Sequence, residues 1–311
     1  MIRSIEGGAG ARLAFERITK PYRQEALREK DFVDDPYSAS DVQKDGQVLI
    51  DLKKTARYQA ARSEASQALE FIVIHGMSKP GIDWLGSDFE RAVKTSEHDD
   101  WQNGIDLVVT FRDENDQEVH LGIDVTTKES ESDLHEKISP LYKNAERQDL
   151  SRVKYFEDMD GRKGEITLPR VLLGLDAQTT LALRDQMIKA EQYSGARKAV
   201  AESQQMFEFL YSTEAQLAFS LEQGLKAAGE LPREGLSTEK LLEHVESVRA
   251  KTKNPKLQKF IEAHSGLLKL ISKVRKEKDP LRKAAGVTIA PVPGKPLTYL
   301  SDRQNLARLA Q

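Results

Sequence analysis

Residues 119–127 read VHLGIDVTT, a β-branched and apolar run with a carboxylate, Asp124, in its middle. An unpaired buried carboxylate is costly, so a strand of this kind must either lie at a sheet edge or bring Asp124 to a partner. The preceding run, 105–112 (IDLVVTFR), has the same character, and 113–116 (DEND) between them is the polar turn that joins hairpin strands. Asp106 stands near the start of the first strand, two residues after Gly104. Side chains alternate along a strand, so Asp124, Thr126 and Lys128 share one face, while Ile123 and Val125 point from the other towards a core. Two carboxylates on paired strands can hold a hard divalent cation through oxygen ligands. A lysine on the same face can orient a water or offset charge on a phosphate.

The flanking sequence frames these strands with helices. Residues 51–75 carry Leu52, Tyr58, Ala61, Ala65, Leu69 and Ile72 at near-helical spacing, closed by Gly76. Ser87 and Glu90 have the capping-box spacing of a short helix. A helix is expected over 130–144, with Pro140 interrupting or kinking it. The apolar run 169–175 (PRVLLGL) predicts a strand buried on both faces, and Asp176 can cap the helix after it. From 177 to 285 only helical patterning follows, with breaks expected at Gly195, at 229–235 and at Pro255. Residues 1–50 are polar and weakly periodic, with a turn-forming start at Gly7-Gly8-Ala9-Gly10 and loop with a short edge element over 35–48. Residues 286–311 read as a Pro-containing linker and tail, with Ser301 capping a last short helix. The expected organisation is an N-terminal extension (1–50), an α/β domain (51–190), a helical region (191–285) and the tail.

Composition removes several function classes. The chain of 311 residues has no Cys, which excludes a disulfide scaffold, a thiol nucleophile and any thiolate metal site. No apolar run reaches the length needed to cross a membrane, and the N-terminus lacks the apolar stretch of a secretory signal. A soluble, cytoplasmic protein is expected. His98 and His120 lack metal-ligand spacing and read as structural or exposed. Asp99 and Asp100 read as loop-surface acids.

The order helix, strand, turn, strand, helix, strand, with Asp106 and Asp124 placed as above, resembles the PD-(D/E)xK nuclease superfamily. The wording TSEHDDWQNGIDLVV followed by LGIDVTTK carries the likeness, over roughly residues 60–190. It implies a restriction-endonuclease-like mixed sheet flanked by helices, and a Mg²⁺- or Mn²⁺-dependent nuclease hydrolysing phosphodiester bonds in DNA or RNA. Asp106 and Asp124 would match the two motif acids and Glu90 the acid of the preceding helix. All three would be metal ligands, and Asp106, Asp124 and Lys128 the catalytic residues. One departure stands out. The motif lysine belongs at position 126, where this chain has Thr126, and Lys128 lies one pleat farther along, about 6–7 Å at strand rise. Two readings therefore stay open: a displaced lysine, or a degenerate nuclease fold that binds nucleic acid or protein without cleaving.

Each candidate also has an ordinary role. Glu90 can complete the capping box, Asp106 can cap a backbone amide, and Lys128 can be a solvated lysine where the strand frays. Beyond the α/β core, residues 249–283 hold 12 Lys/Arg against 3 Asp/Glu. Leu257, Phe260, Ile261, His264, Leu268, Ile271 and Val274 form one apolar stripe, with Lys256, Lys259, Lys269, Lys273 and Lys276 largely off it. The default is a packed helix with a solvated basic face; the functional alternative is a phosphate-contacting surface for nucleic acid. The long helices could equally serve a homodimer or a protein partner.

Overall fold

The structure, a computed structural model, describes residues 9–55, 58, 63–230, 236–290 and 296–310. In chain order, its helices and strands are α1 (Ala9–Gln24), α2 (Ala39–Lys53), α3 (Glu64–Ser78), β1 (Phe89–Lys94), β2 (Leu107–Arg112), β3 (Glu118–Thr126), α4 (Glu131–Glu146), β4 (Ser151–Glu157), β5 (Lys163–Leu168), β6 (Arg170–Gly174), α5 (Ala177–Ala190), α6 (Ser194–Ala201), α7 (Gln204–Ala227), α8 (Thr238–Lys251), α9 (Pro255–Ala284) and α10 (Arg303–Ala310). The chain is therefore mixed α/β with a helical C-terminal region, and among the described residues no helix is long and apolar enough to cross a membrane.

The main sheet has the order β1-β2-β3-β6. The β1–β2 and β2–β3 pairs are antiparallel, whereas β6 joins β3 in parallel, with Asp124 opposite Leu172. A parallel neighbour needs a crossover, and α4 with the β4–β5 hairpin supplies it. Register sorts the side chains by face. Leu107, Val109, Phe111, Leu121, Ile123 and Val125 enter one large core with Ile72 of α3, Leu183 of α5, Leu210 of α7 and Ile271 of α9. On the other face, Val93, Ile105 and Val108 meet Val153, Phe156 and Leu168 of the hairpin, and Leu172 meets Leu134 and Ile138 of α4. Both faces of β3 are thus covered, and residues 121–126 are all buried. Residues on either side of position 190 share the large core.

Gln216 of α7 fastens the helical region to the sheet. Its side-chain amide donates to the Leu172 carbonyl (2.7 Å) and accepts from the Leu172 N–H (2.8 Å), as a neighbouring strand would. This satisfies backbone groups of the edge strand β6 that would otherwise be buried without partners.

Several expectations need correction. The capping-box reading of 87–90 fails: 89–94 is strand β1, because pairing with the free edge of β2 outweighs a preference worth tenths of a kcal/mol. The expected helix over 51–75 is interrupted among the described residues: α2 ends at Lys53, and α3 starts afresh after Ser63, whose hydroxyl accepts from the Ser66 N–H (3.0 Å). Ala61 lies outside the described residues. The expected loop over 35–48 holds most of α2, capped by Ser38, and α1 begins at Ala9; Gly7 and Gly8 lie outside the described residues. Helix α4 continues past Pro140 to Glu146. Gly195 sits inside α6, and the break falls just before it, at 191–193. Pro255 does open a helix, with Asn254 as its cap. Asp302 rather than Ser301 accepts from the first turn of α10, through the Asn305 N–H (2.9 Å). The tail packs: Leu300, Leu306 and Leu309 are buried against α4 and α7.

Candidate functional site

The C-terminal end of β3 and the start of β2 lie side by side at the mouth of a cleft of about 1290 Å³. Asp106 immediately precedes β2, and its N–H donates to the Ile123 carbonyl (2.9 Å), which brings it level with Asp124 across the ladder. Both are buried, at 8% and 6% exposure. The Asp106 carboxylate accepts from the Val125 N–H at 2.6 Å. Asp124 meets the ammonium of Lys137, which reaches down from α4 and also donates to the Val125 carbonyl (3.3 Å). Burial, opposed by Lys137, raises the Asp124 carboxyl above its usual range. Burial works against the Lys137 charge, yet Asp124 and Asp106 overcome it and the ammonium is held more firmly than usual.

Two further acids converge on Asp106. Glu70 comes from α3, and Asp100 from a turn of π-helix, Asp99–Asn103, between β1 and β2. Carboxylate oxygens of Glu70, Asp100 and Asp106 all lie within 4.8 Å of one another. Burial and then the Asp106 charge push the Asp100 carboxyl well above its ordinary range; burial and then Glu70 raise Asp106. Crowded, desolvated carboxylates behave this way when too little positive charge faces them. Lys94 of β1 supplies part of it, paired with Glu70 and 3.8 Å from Asp100. Three hard oxygen donors at this spacing match the coordination habits of Mg²⁺ or Mn²⁺.

The π-turn is held from below by Asp99, which is fully buried and accepts from the Ser96 hydroxyl (2.8 Å), the Asn103 amide (2.7 Å) and the backbone N–H groups of Lys154 (2.7 Å) and Tyr155 (3.0 Å). It stitches the turn that carries Asp100 to strand β4. Gly104 closes the turn at φ +64, where the Arg170 guanidinium passes so near that a Cβ would meet it at 2.5 Å. Arg170 donates to the carbonyls of Asn103 and Gly104.

Of the residues expected from sequence, Asp106 and Asp124 come together, while Glu90 and Lys128 do not join them. Glu90 lies on β1 rather than a helix, accepts from Arg112 (3.1 Å) and does not line the cleft. Glu70, on the helix before β1, does line it. Lys128 is on the rim, half-exposed and paired with Asp133 (3.0 Å), and Thr126 is buried, its hydroxyl accepting from the Lys128 N–H (3.2 Å). Asp99 and Asp100 are not surface acids. The missed residues are Glu70, Lys94, Asp100, Lys137 and Arg170. Glu70 carries the same signal as Asp124, an acid set in an apolar run (ALEFIVI); Lys137, on a helix of mixed charge, carries none.

The apolar stripe of α9 is buried, and Lys256, Lys259, Lys269, Lys273 and Lys276 are exposed, as the default reading has it. Lys256 pairs with Asp149, Lys269 with Glu246, Lys273 with Asp88 and Lys276 with Glu239, each at 2.7 Å. Only Lys259 of the five has no acid partner among the described residues. The basic face is interleaved with acids from other elements, and its local charge excess does not survive folding as a uniform patch.

Comparison with protein-family models, curated proteins and solved structures returns no match to this chain.

Proposed function

We propose that the cleft is the active site of a metal-dependent nuclease on a restriction-endonuclease-like core, hydrolysing phosphodiester bonds in DNA or RNA. The observation that carries this reading is the meeting of Glu70, Asp100 and Asp106 within 4.8 Å, beside the Asp124–Lys137 pair. The framework supports it: helix α3, the hairpin β2-β3, helix α4 and, after the β4–β5 hairpin, the parallel strand β6 keep the order helix, strand, turn, strand, helix, strand on which the resemblance rests, with β1 added at the edge.

Glu70, Asp100 and Asp106 would hold Mg²⁺ or Mn²⁺, with Asp124 beside them. The bound cation supplies Lewis-acid polarisation of a phosphoryl oxygen and acidifies a water. The chain's own groups do the rest. The Val125 N–H and the strand ladder fix the Asp106 carboxylate before any ligand arrives, so little reorganisation remains. In this reading Lys137 takes the part of the motif lysine: it contacts Asp124 from α4, and its ammonium can stabilise charge growing on the phosphate. Arg170, anchored on Asn103 and Gly104, adds a second fixed positive charge next to Asp124.

A second reading, a fold that binds nucleic acid without cleaving it, is favoured by one specific observation. Lys94 already sits among the three acids, with its ammonium on Glu70. Incubation with single- and double-stranded DNA and RNA, in Mg²⁺ or Mn²⁺ and then in EDTA, separates the two. Metal-dependent cleavage that is lost in Asp106→Asn and Asp124→Asn supports the nuclease. Salt-sensitive binding without cleavage in any metal supports the second reading and overturns the first.

A further inference from the structure

The cleft wall next to the acids is aromatic. Trp101 follows Asp100 directly in the π-turn and lines the cleft. Tyr58, itself buried, backs the indole with ring centroids 4.6 Å apart and planes inclined by 33°. The Tyr58 hydroxyl donates to Glu97 at 2.6 Å, which holds the backing ring in place. The indole is partly exposed, and its Nε1 has no partner among the described residues. Gln102, the next residue, is exposed on the same wall, and its amide is equally uncommitted, whereas the Asn103 amide is spent on Asp99. Arg23 lines the cleft as well. It is an exposed cation with its guanidinium 4.2 Å from the Phe71 ring centroid and no acid partner among the described residues.

A partly exposed indole backed by a second ring and facing a cleft is a poor element of a purely structural wall, since burying it fully would add stability. It is a suitable platform for a planar ligand. Bases inside a duplex offer only their edges to a protein, because their faces are taken by stacking; an aromatic wall can engage a base only if the base is unpaired or swung out. Stacking on an aromatic side chain accepts any base, because every base has a π-face. Resting on the nuclease reading of the same cleft, we infer that the substrate is a single strand, or a single-stranded end or loop. A base of that strand stacks on Trp101, a phosphate lies towards Asp100 and Asp106, and Arg23 contacts the strand's backbone farther along.

Fluorescence anisotropy of labelled twelve-nucleotide single strands, one of DNA and one of RNA, and of the matching duplex tests this with the full chain in Ca²⁺ and in EDTA. Single strands should bind at least about tenfold tighter than the duplex, and Trp101→Ala should remove about tenfold of that advantage, the scale of one lost base stack. Trp101→Phe should restore most of it and leave duplex affinity unchanged. The only other tryptophan, Trp84, is buried, so quenching of wild-type emission by single strands would report Trp101 even if the alanine variant fails to fold. Preference between the DNA and RNA strands names the sugar and supports the inference either way. Equal binding of duplex and single strand, with no quenching, overturns it while leaving metal-dependent cleavage intact. Absence of any binding together with absence of cleavage overturns the nuclease reading as well.

Discussion

Lys137 and Lys273 each reach an aspartate across the fold, and the two pairs behave differently. The Lys137–Asp124 pair is largely buried at the cleft, where the aspartate is pushed towards protonation by desolvation and the lysine is held charged by its acidic neighbours. The Lys273–Asp88 pair, at 2.7 Å, is on the outer surface of α9, where the lysine remains half-exposed. A pair in water gains little and is screened by salt. A pair withdrawn from water keeps its field, and that field can act on a substrate. The number of charges in a segment therefore says less than their surroundings: the exposed lysines of α9 hold their partners Glu239 and Glu246 below the usual carboxylate range, whereas burial raises Asp100, Asp106 and Asp124 in the cleft.

The comparison can be broken at several points. Asp106→Asn keeps an oxygen able to accept from Val125 N–H but removes a central carboxylate; metal-dependent cleavage should fall by about 10³-fold or more with the melting temperature little changed. Lys137→Met should lower kcat by about 10²-fold, while Lys128→Ala, on the exposed rim, should stay within about twofold of wild type. Equal losses at the two lysines would remove the distinction between the buried pair and the rim.

Burial outside the cleft predicts a pH effect of known sign. His264 of α9 is buried, its pKa pushed down to about 4 by desolvation despite a hydrogen bond to the Phe260 carbonyl. As pH falls below about 6.5, the unfolded chain takes up a proton that the folded chain refuses, so stability is lost between about 6.5 and 4 and is constant below. Near pH 5 the loss is about 2 kcal/mol. The carboxyls of the cleft, raised in the fold, work in the opposite sense. Denaturant unfolding of wild type and His264→Leu at pH 7.5 and pH 5 isolates the histidine: the difference between them should move by about 2 kcal/mol in favour of the variant at low pH, and an unchanged difference would refute the assignment.

Two smaller effects follow. Gly104→Ala puts a Cβ against Arg170 and a strained φ on the π-turn, for about 1–2 kcal/mol of lost stability in denaturant unfolding. Lys269→Ala combined with Lys276→Ala should change nucleic-acid affinity less than about threefold and leave its salt dependence unaltered, because both lysines already have acid partners. A shallower salt slope in that variant would restore α9 as a binding face.

How much was legible in advance differs between fold and site. Alternation and turn chemistry in 105–127 are enough to pair β2 with β3, since hairpin pairing is a local, short-range matter, while the register that brings Asp106 level with Asp124 is set by the ladder itself. The strand β1 was hidden, because SDFERAVK satisfies a helix cap and a strand equally and only the free edge of β2 decides between them. In the site, an acid inside an apolar run marks Asp124 and marks Glu70 in the same way. Nothing local marked Lys137 or Asp100. Their roles arise from the crossover that lays α4 over β3 and from the buried Asp99 that ties the π-turn to β4.

The sequence by itself determined the absence of thiol chemistry, the hairpin that carries Asp106 and Asp124, the cap residue Asp176, and the apolar stripe of α9. Each depends on residue type and on spacings within a few turns or pleats. Tertiary structure alone decided which charges are withdrawn from water. It gathered Glu70, Asp100 and Asp106 from a helix, a turn and a strand entrance, set Lys137 rather than Lys128 against Asp124, and paired four lysines of α9 with acids distant in sequence. Desolvation and pairing are properties of neighbours in space, and chain order does not carry them.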